Sequence, residues 1–462
     1  MERRWQVLAV TAVATFMSFL DVTIVNIAFP DIRASFPSVS LGHLSWIMNA
    51  YGIVFAAALV PAGRLADRIG RRRFFVLGTL VFLGASVLCG AAPTVDVLVT
   101  ARAVQALGAA MLVPASLGLL LPEFPLERRA TATALWGATG AVAAAAGPSL
   151  GGLLVDWQGW RSVFFVNLLI GLPALVPARR ILREHREQDT PFPDLAGAAL
   201  LATGVGALAL GIVQGPTWGW GSGRVLGSFV ASVVLLAAFV WRSARHRAPV
   251  VELPLFRVRS FSVANLGAFV FSMGFYALLL CNVLFLTGVW HYSILRAGVA
   301  LTPGPLMATL GAVAGGRLAD RFGQRVIAVP GGLLFATGAL LFALRVGVHP
   351  AFAADFLPAN LLGGSGVGLT YAAFGSAAVA ELPRSRFATG GAVNSCLRQV
   401  GAVLGISVLI VVLGNPSLHD FHRAWALMAL TGTVSALAGL ALGRVRARHA
   451  EDVVAAAVAV EA

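Results

Sequence analysis

An acid stands in the middle of the first long apolar run of the chain. The stretch Met17-Ser18-Phe19-Leu20-Asp21-Val22-Thr23-Ile24-Val25-Asn26-Ile27-Ala28-Phe29-Pro30-Asp31-Ile32 sets Asp21 between leucine and valine. On a helix rising 1.5 Å per residue, Asp21 lies about 13 Å from Pro30 and about 22 Å from Gln6. Holding a charge at that depth of hydrocarbon costs roughly 2.5–3.5 kcal/mol even on insertion scales. A carboxyl group placed there is suited to taking up and releasing a proton. The plainer alternative puts Asp21 at a helix end among lipid headgroups. A second charge, Arg102, enters another apolar run about five residues, or 7–8 Å, from its start. Its guanidinium can reach a similar depth and face the acid. Hydrocarbon favours the neutral carboxyl and a facing guanidinium favours the carboxylate, so proton occupancy can follow conformation and bound substrate. A static buried pair that only fixes helix packing would leave the same trace in the sequence.

Those residues need a membrane around them. The chain has 462 residues, 58% hydrophobic and only 12% charged, where a soluble domain carries about 25% charged residues. This is the composition of an all-α polytopic membrane protein. Fourteen apolar runs of the length that spans a bilayer, about 20 residues each, can be placed, the first near 6–30 and the last near 424–443. All 34 basic residues are arginine, which with the abundant Ala, Gly and Val suggests a GC-rich bacterial source. The net charge of +14 is spread in short groups between apolar runs, which argues against a nucleic-acid partner and for membrane topology. With the N-terminus inside and the connections alternating, 26 of the 34 arginines fall on the inner face. Both termini are then cytoplasmic. The three cysteines lie far apart, and neither a C-x-x-C nor an H-E-x-x-H occurs, so no disulfide scaffold, metal site or cofactor is expected. No G-x-x-x-x-G-K-[ST] loop is present, so ATP does not drive the protein through a domain of its own, and no enzyme activity is expected. The apolar run after Met1-Glu2-Arg3-Arg4-Trp5 is too long for a signal-peptide core and reads as a retained first span.

The chain repeats itself. Gly63-Arg64-Leu65-Ala66-Asp67-Arg68-Ile69-Gly70-Arg71-Arg72 returns as Gly316-Arg317-Leu318-Ala319-Asp320-Arg321-Phe322-Gly323-Gln324-Arg325, an offset of 253 residues. Each copy follows the second span of its half. The organisation expected is a six-helix bundle over 1–180, cytoplasmic connections and two inserted helices over 181–259, a second six-helix bundle over 260–445, and a cytoplasmic tail over 446–462. Parallel halves with substrate held between them near the midplane is a transporter plan. In each loop the glycine, Gly63 or Gly316, lets helices approach closely. Asp67 can cap the helix that begins near Arg73 and act as a gate latch with Arg68, Gly70 and Arg71. Asp320 and Arg321 form the second, weaker copy, with Gln324 where the first has Arg71. Deep in span thirteen stands Arg398, with Asn394 and Gln399 as candidate polar neighbours and no acid to match it. One helix carries Gly137, Gly140, Gly147, Gly151 and Gly152 around Pro148, a stripe on which backbones can touch in lipid.

At these residues the chain resembles the major facilitator superfamily, and within it the fourteen-span drug:proton antiporter branch. The first-helix pattern L-D-x-T-[IV]-V-N-[IV]-A-x-P-x-I is met by Leu20 to Ile32 at every fixed position, and the loop pattern G-x-L-A-D-R-x-G-R-[KR] by Gly63 to Arg72. The fourth-helix pattern R-x-x-Q-G-x-G-[AG]-A is met by Arg102, Gln105, Gly108 and Ala110, with Ala106 in place of its first glycine. The antiporter motif G-P-x-x-G-G is met by Gly147, Pro148, Gly151 and Gly152. Trp160, Arg161, Ser162, Phe164 and Asn167 resemble the start of the branch's sixth span, and Asn394, Arg398, Gln399, Gly401 and Gly405 its thirteenth. The resemblance implies the major facilitator fold and proton coupling through Asp21 and Arg102. It also implies export of small organic molecules, such as drugs, antibiotics, dyes or an endogenous product, by alternating access in a monomer of the cell membrane. Asn26, Gln105, Asn394 and Arg398 are then candidates for the substrate cavity. A lipid translocase on the same fold is the alternative function. A non-transporting sensor is a third, which the intramembrane acid argues against.

Overall fold

The computed structural model describes residues 2–125, 128–187, 191–383, 386–414 and 416–443, and within them every side chain but those of Ala130 and Asp320. The expected tail over 446–462 lies outside these residues, as do Arg384 and the arginines from Arg444 to Arg448. Fifteen α-helices form the described chain: α1 (Arg3–Ser35), α2 (Leu41–Ile69), α3 (Arg71–Gly90), α4 (Val95–Leu120), α5 (Arg129–Gln158), α6 (Ser162–Ile181), α7 (Leu195–Trp218), α8 (Gly223–Arg245), α9 (Arg259–Gly288), α10 (Ile294–Leu301), α11 (Pro303–Phe322), α12 (Gln324–Arg345), α13 (Leu357–Ala380), α14 (Phe387–Leu413) and α15 (Leu418–Ala441). The short α10 and α11 meet at Thr302-Pro303 and together make one span, Ile294–Ala319. Fourteen spans result.

Thirteen of them are long and apolar enough to cross a membrane on length and composition alone. The fourteenth, α13, is 24 residues long and diluted by glycine. Packing explains the dilution. A Cβ at Gly364 would lie 2.2 Å from the Gly304 carbonyl oxygen, one at Gly368 2.1 Å from that of Ala308, and one at Gly366 2.4 Å from the Phe335 nitrogen. This helix is wedged between α11 and α12, where backbone contact replaces side-chain bulk.

The helices α1 to α6 pack among themselves, as do α9 to α15. The two groups meet where α2 runs along α14 and where α5 meets α10. Asn49 donates to the Ser407 hydroxyl across this boundary at 3.1 Å. The inserted pair lies outside the bundles: α7 rests on both α2 and α14, and α8 packs mainly on α7 with Leu226, Val230, Val233, Val234 and Trp241 exposed, as lipid contact requires. Asp194 pins this hairpin. Its buried carboxylate accepts from the Gly197 amide at the start of α7 (2.8 Å) and from the Arg242 guanidinium at the end of α8 (2.6 Å).

The ends of the helices define two faces. Arg3, Ile181 and Glu123 meet on one, and there Arg259 donates to the Ala441 carbonyl, so both ends of the described chain share a face. Cysteines placed at Arg183, on the termini face, and at Gly221, in the α7–α8 turn, are therefore predicted to react from opposite sides of the membrane. The three native cysteines are buried and give little background. Impermeant thiol labelling of whole cells checks this, and labelling of both positions from outside would refute the span count.

Candidate functional site

The first helix satisfies its own hydroxyls. Thr11, Thr15, Ser18 and Thr23 each donate to a carbonyl one turn back. That leaves Asp21, fully buried, to find partners on other helices. It has three. Arg102 of α4 donates through Nη1 to Oδ2 at 2.5 Å, Gln105 of α4 donates through Nε2 to Oδ1 at 2.8 Å, and Asn167 of α6 donates to Oδ1 at 3.3 Å. A carboxyl surrounded only by donors is arranged for its ionised form. Ser86 of α3 completes the cluster, accepting from both Gln105 (2.8 Å) and Asn167 (3.3 Å), and the Cys89 thiol approaches Gln105 at 3.6 Å.

Arg102 has more than Asp21 to hold it. Nη1 also donates to Gln105 Oε1 at 2.6 Å, and Nε donates to the Ile47 carbonyl of α2 at 3.2 Å. Its guanidinium sits 4.1 Å from the centre of the Tyr51 ring and 5.9 Å from that of Phe164. Breaking a buried ion pair ordinarily costs about 3–5 kcal/mol because a charge is left stranded. Here the cation keeps two oxygen acceptors and an aromatic face if Asp21 becomes neutral. The geometry suits a pair that can be broken and remade.

The cluster draws on α1, α2, α3, α4 and α6, all of the first half. Of the expected site residues, Asp21, Arg102 and Gln105 come together. Asn26 does not join them; it donates to the Val22 carbonyl of its own helix at 2.7 Å. Asn394 is buried and ties α14 to α9 through Asn265 at 3.1 Å. Arg398, one turn along the same helix, places its guanidinium 3.8 Å over the Tyr371 ring. Ser86, Cys89 and Tyr51 were missed by the sequence reading.

The termini-face loop differs from expectation in its capping. Asp67 pairs with Arg71 one turn on (2.6 Å), and Arg71 also reaches Glu187 (3.1 Å) and the Gly118 carbonyl (3.0 Å). The cap on α3 is Glu184, which accepts from the amides of Arg72 and Arg73 at 3.0 and 3.2 Å. The reason is the turn. One residue, Gly70 at φ +120°, separates α2 from α3, so Asp67 meets the Arg71 side chain while the 182–187 segment crosses the exposed helix end and reaches its amides. Arg186 fastens that segment to the Arg68 carbonyl at 2.8 Å. The close helix approach expected of Gly63 is also absent here. A Cβ there would meet Pro114 at 3.4 Å, an ordinary contact, and one at Gly316 would meet nothing within 4 Å. In the second copy Arg321 lies over the Phe322 ring, and the Asp320 side chain is outside the described residues. Glu252 reaches both halves on this face, pairing with Arg64 of α2 (3.2 Å) and with Arg386 ahead of α14.

The glycine stripe of α5 makes tight contacts toward the opposite face. A Cβ at Gly147 would lie 2.0 Å from Thr23 Oγ1, and one at Gly151 2.4 Å from Ile27 Cγ2. A Cβ at Gly152 would lie 2.9 Å from both the Ile294 oxygen and Leu295 Cα. In return Gly298 of α10 sits against the Pro148 carbonyl, and Ser149 shares a hydrogen bond with Thr302 at 2.5 Å. Here the α5 backbone packs against side chains of α1 in its own half and against the backbone of α10 in the other.

Known proteins share this frame. A family model described as the Major Facilitator Superfamily matches residues 11–406. The chain is 34% identical over 407 residues to the multidrug resistance protein Stp of Mycobacterium tuberculosis, covering 88% of this chain and 75% of that protein. It is 33% identical over 439 residues to the tetracenomycin C resistance and export protein of Streptomyces glaucescens, covering 92% and 78%. A POT family transporter crystallised in complex with 5-aminolevulinic acid superposes with a TM-score of 0.69 over 93% of this chain and 94% of that one, at 14% identity, a likeness of fold.

The seal yields a prediction. Overpacking a tight contact costs about 1–3 kcal/mol, a five- to hundredfold shift in a two-state balance. Gly152→Val should move the protein out of the conformation seen here. A cysteine at Ser149, probed with an impermeant thiol reagent, should then react faster by a factor in that range. Unchanged reactivity would mean that the α5–α10 contact does not close this face.

Proposed function

The chain belongs to the major facilitator superfamily, and from that premise we propose that it exports small organic molecules from the cell in exchange for protons, with Asp21 carrying the proton. It is a multi-pass membrane protein. We read it as a carrier rather than an enzyme, acting as a monomer in a bacterial cell membrane with the termini face toward the cytoplasm. The asymmetry of the arginines supports that orientation. Relatives named for multidrug resistance and for tetracenomycin C resistance and export support cargo of the drug or antibiotic kind.

The observation that carries the proposal is the Asp21–Arg102 pair with its spare acceptors. In the conformation described, Asp21 meets only hydrogen-bond donors, and α5 is packed tightly on α10 toward the face opposite the termini. This is the state expected after the proton has left toward the cytoplasm, ready for cargo from that side. Cargo binding and the turn to the other face would bring Asp21 to water outside. Protonation there would free Arg102 onto Gln105, the Ile47 carbonyl and the Tyr51 ring. Changing those contacts alters how α1 and α4 fit together, which lets the emptied carrier return. Each half-cycle thus requires a different charge on Asp21, and that requirement is the coupling.

Asp21→Asn keeps shape and hydrogen bonding but cannot titrate. In proteoliposomes with an imposed pH difference it should fail to concentrate a transported dye, a loss of about a hundredfold or more in the driven rate, as removal of an obligatory proton-transfer group entails. Downhill exchange should persist. Asp21→Glu should retain part of the driven activity. Full pH-driven accumulation by the Asn variant would exclude Asp21 as the proton carrier.

A further inference from the structure

The inserted pair ends in a segment that returns to the bundles. Residues 246–258 join α8 to α9 on the termini face. The start of this segment is tied to the inserted pair. The Asp194 amide donates to the Ala248 carbonyl at 3.2 Å, and the Asp194 carboxylate joins the start of α7 to Arg242 of α8. Its middle is buried. Val250, Val251 and Leu255 belong to one apolar cluster with Ala57 and Val60 of α2 and with Val393 and Cys396 of α14. The segment is thus packed where the first half meets the second.

Among these apolar side chains stands one acid. The Glu252 side chain is only 15% exposed. Its Oε1 accepts from Nη2 of Arg64, on α2, at 3.2 Å, and its Oε2 accepts from Nη1 of Arg386, just ahead of α14. One carboxylate therefore holds a guanidinium from each half. Arg64 is itself mostly buried, and its Nη1 has no hydrogen-bond acceptor. Without Glu252, two like charges would be left close together, one of them shielded from water. Such charges repel, and a buried cation that loses its partner is costly. Asp67 does a different task, because its partner Arg71 belongs to the same half.

We propose that Glu252 is a latch between the two halves on the termini face, and that the inserted pair serves to hold it there. Parting α2 from α14 on this face requires the carboxylate to release one of its two guanidiniums. Charge-assisted bonds are among the strong ones, and these are partly shielded from solvent. The same carboxylate lets two cations of opposite halves lie close together, so it controls their separation in both directions. Asp194 and the Ala248 carbonyl anchor the segment to α7 and α8, which gives the insert a part in holding the bundles together. The latch's role in transport rests on the export reading; its hold on this face does not.

Cys396 reports on the latch, because it is buried in the cluster that the segment completes. Cys89 and Cys281 are buried toward the opposite ends of α3 and α9 and serve as controls. The purified full chain is treated with N-ethylmaleimide, and peptide mass spectrometry follows each cysteine. Glu252→Gln keeps the shape and removes the charge. It should speed alkylation of Cys396 about tenfold or more, the loss expected for charge-assisted bonds, and leave Cys89 and Cys281 unchanged. Adding Arg386→Gln removes the repulsion and should slow Cys396 again by about threefold. A residue that served packing alone would gain nothing from that second loss. Arg386→Glu, at an exposed position, sets a second acid beside Glu252; it should also speed Cys396 and stands in should the Gln variant not fold. Unchanged Cys396 in Glu252→Gln and Arg386→Glu, an equal rise at all three cysteines, or no slowing on adding Arg386→Gln overturns the latch. Driven dye uptake into proteoliposomes should fall in Glu252→Gln, and uptake unchanged from the unmodified protein overturns the latch's role in transport. Absence of driven uptake by the unmodified protein counts against export and leaves the Cys396 result standing.

Discussion

Removing a carboxylate and a guanidinium from water is costly, and the Asp21–Arg102 contact is where this structure bears that cost. Five helices of one half contribute to it. Gln105 and Asn167 donate to the acid, Ser86 orients both amides, and the Ile47 carbonyl and Tyr51 ring steady the cation. The polar groups of α1 that could compete are turned onto their own helix. The first bundle is thus packed around one buried ion pair that joins α1 to α4.

The second bundle is built differently. It has no buried acid among its described residues, and its polar centre is an arginine in an aromatic cage. Between the two bundles α2 packs on α14, with Gly52 against Val403. On one face the halves touch backbone to backbone along α5 and α10; on the other, among the described residues, Glu252 pairs with an arginine of each half. Tight small-residue contact and side-chain ion pairs differ in how far they can part before breaking. The asymmetry suits a carrier that opens first toward its termini face.

Much of this was legible in the sequence because hydrocarbon makes charge conspicuous. Asp21 and Arg102 stand out in apolar runs, and arginine asymmetry gave the span count. Neutral residues carry no such mark. Ser86, Cys89 and Tyr51 look alike on a membrane helix whether they face lipid, packing or the acid. The helix cap was illegible for another reason: Glu184 reaches α3 from a segment more than a hundred residues along the chain, and local spacing pointed to Asp67 instead. Gly63 and Gly316 read as close-contact residues because of their setting, yet the tight glycine contacts lie on other helices, α5, α13 and α14 among them. The partner of Arg398 could not be found in the sequence because it is a ring face and not an acid.

Everything turns on whether Asp21 changes its protonation while Arg102 stays housed. Infrared difference spectra of the full chain in lipid, taken between mildly alkaline and mildly acidic solution, observe this directly. The account predicts a protonated-carboxyl band that grows with acid in the unmodified protein and is missing from Asp21→Asn. Identical spectra for the two proteins would show that Asp21 keeps one charge throughout, and the pair would then be packing rather than coupling.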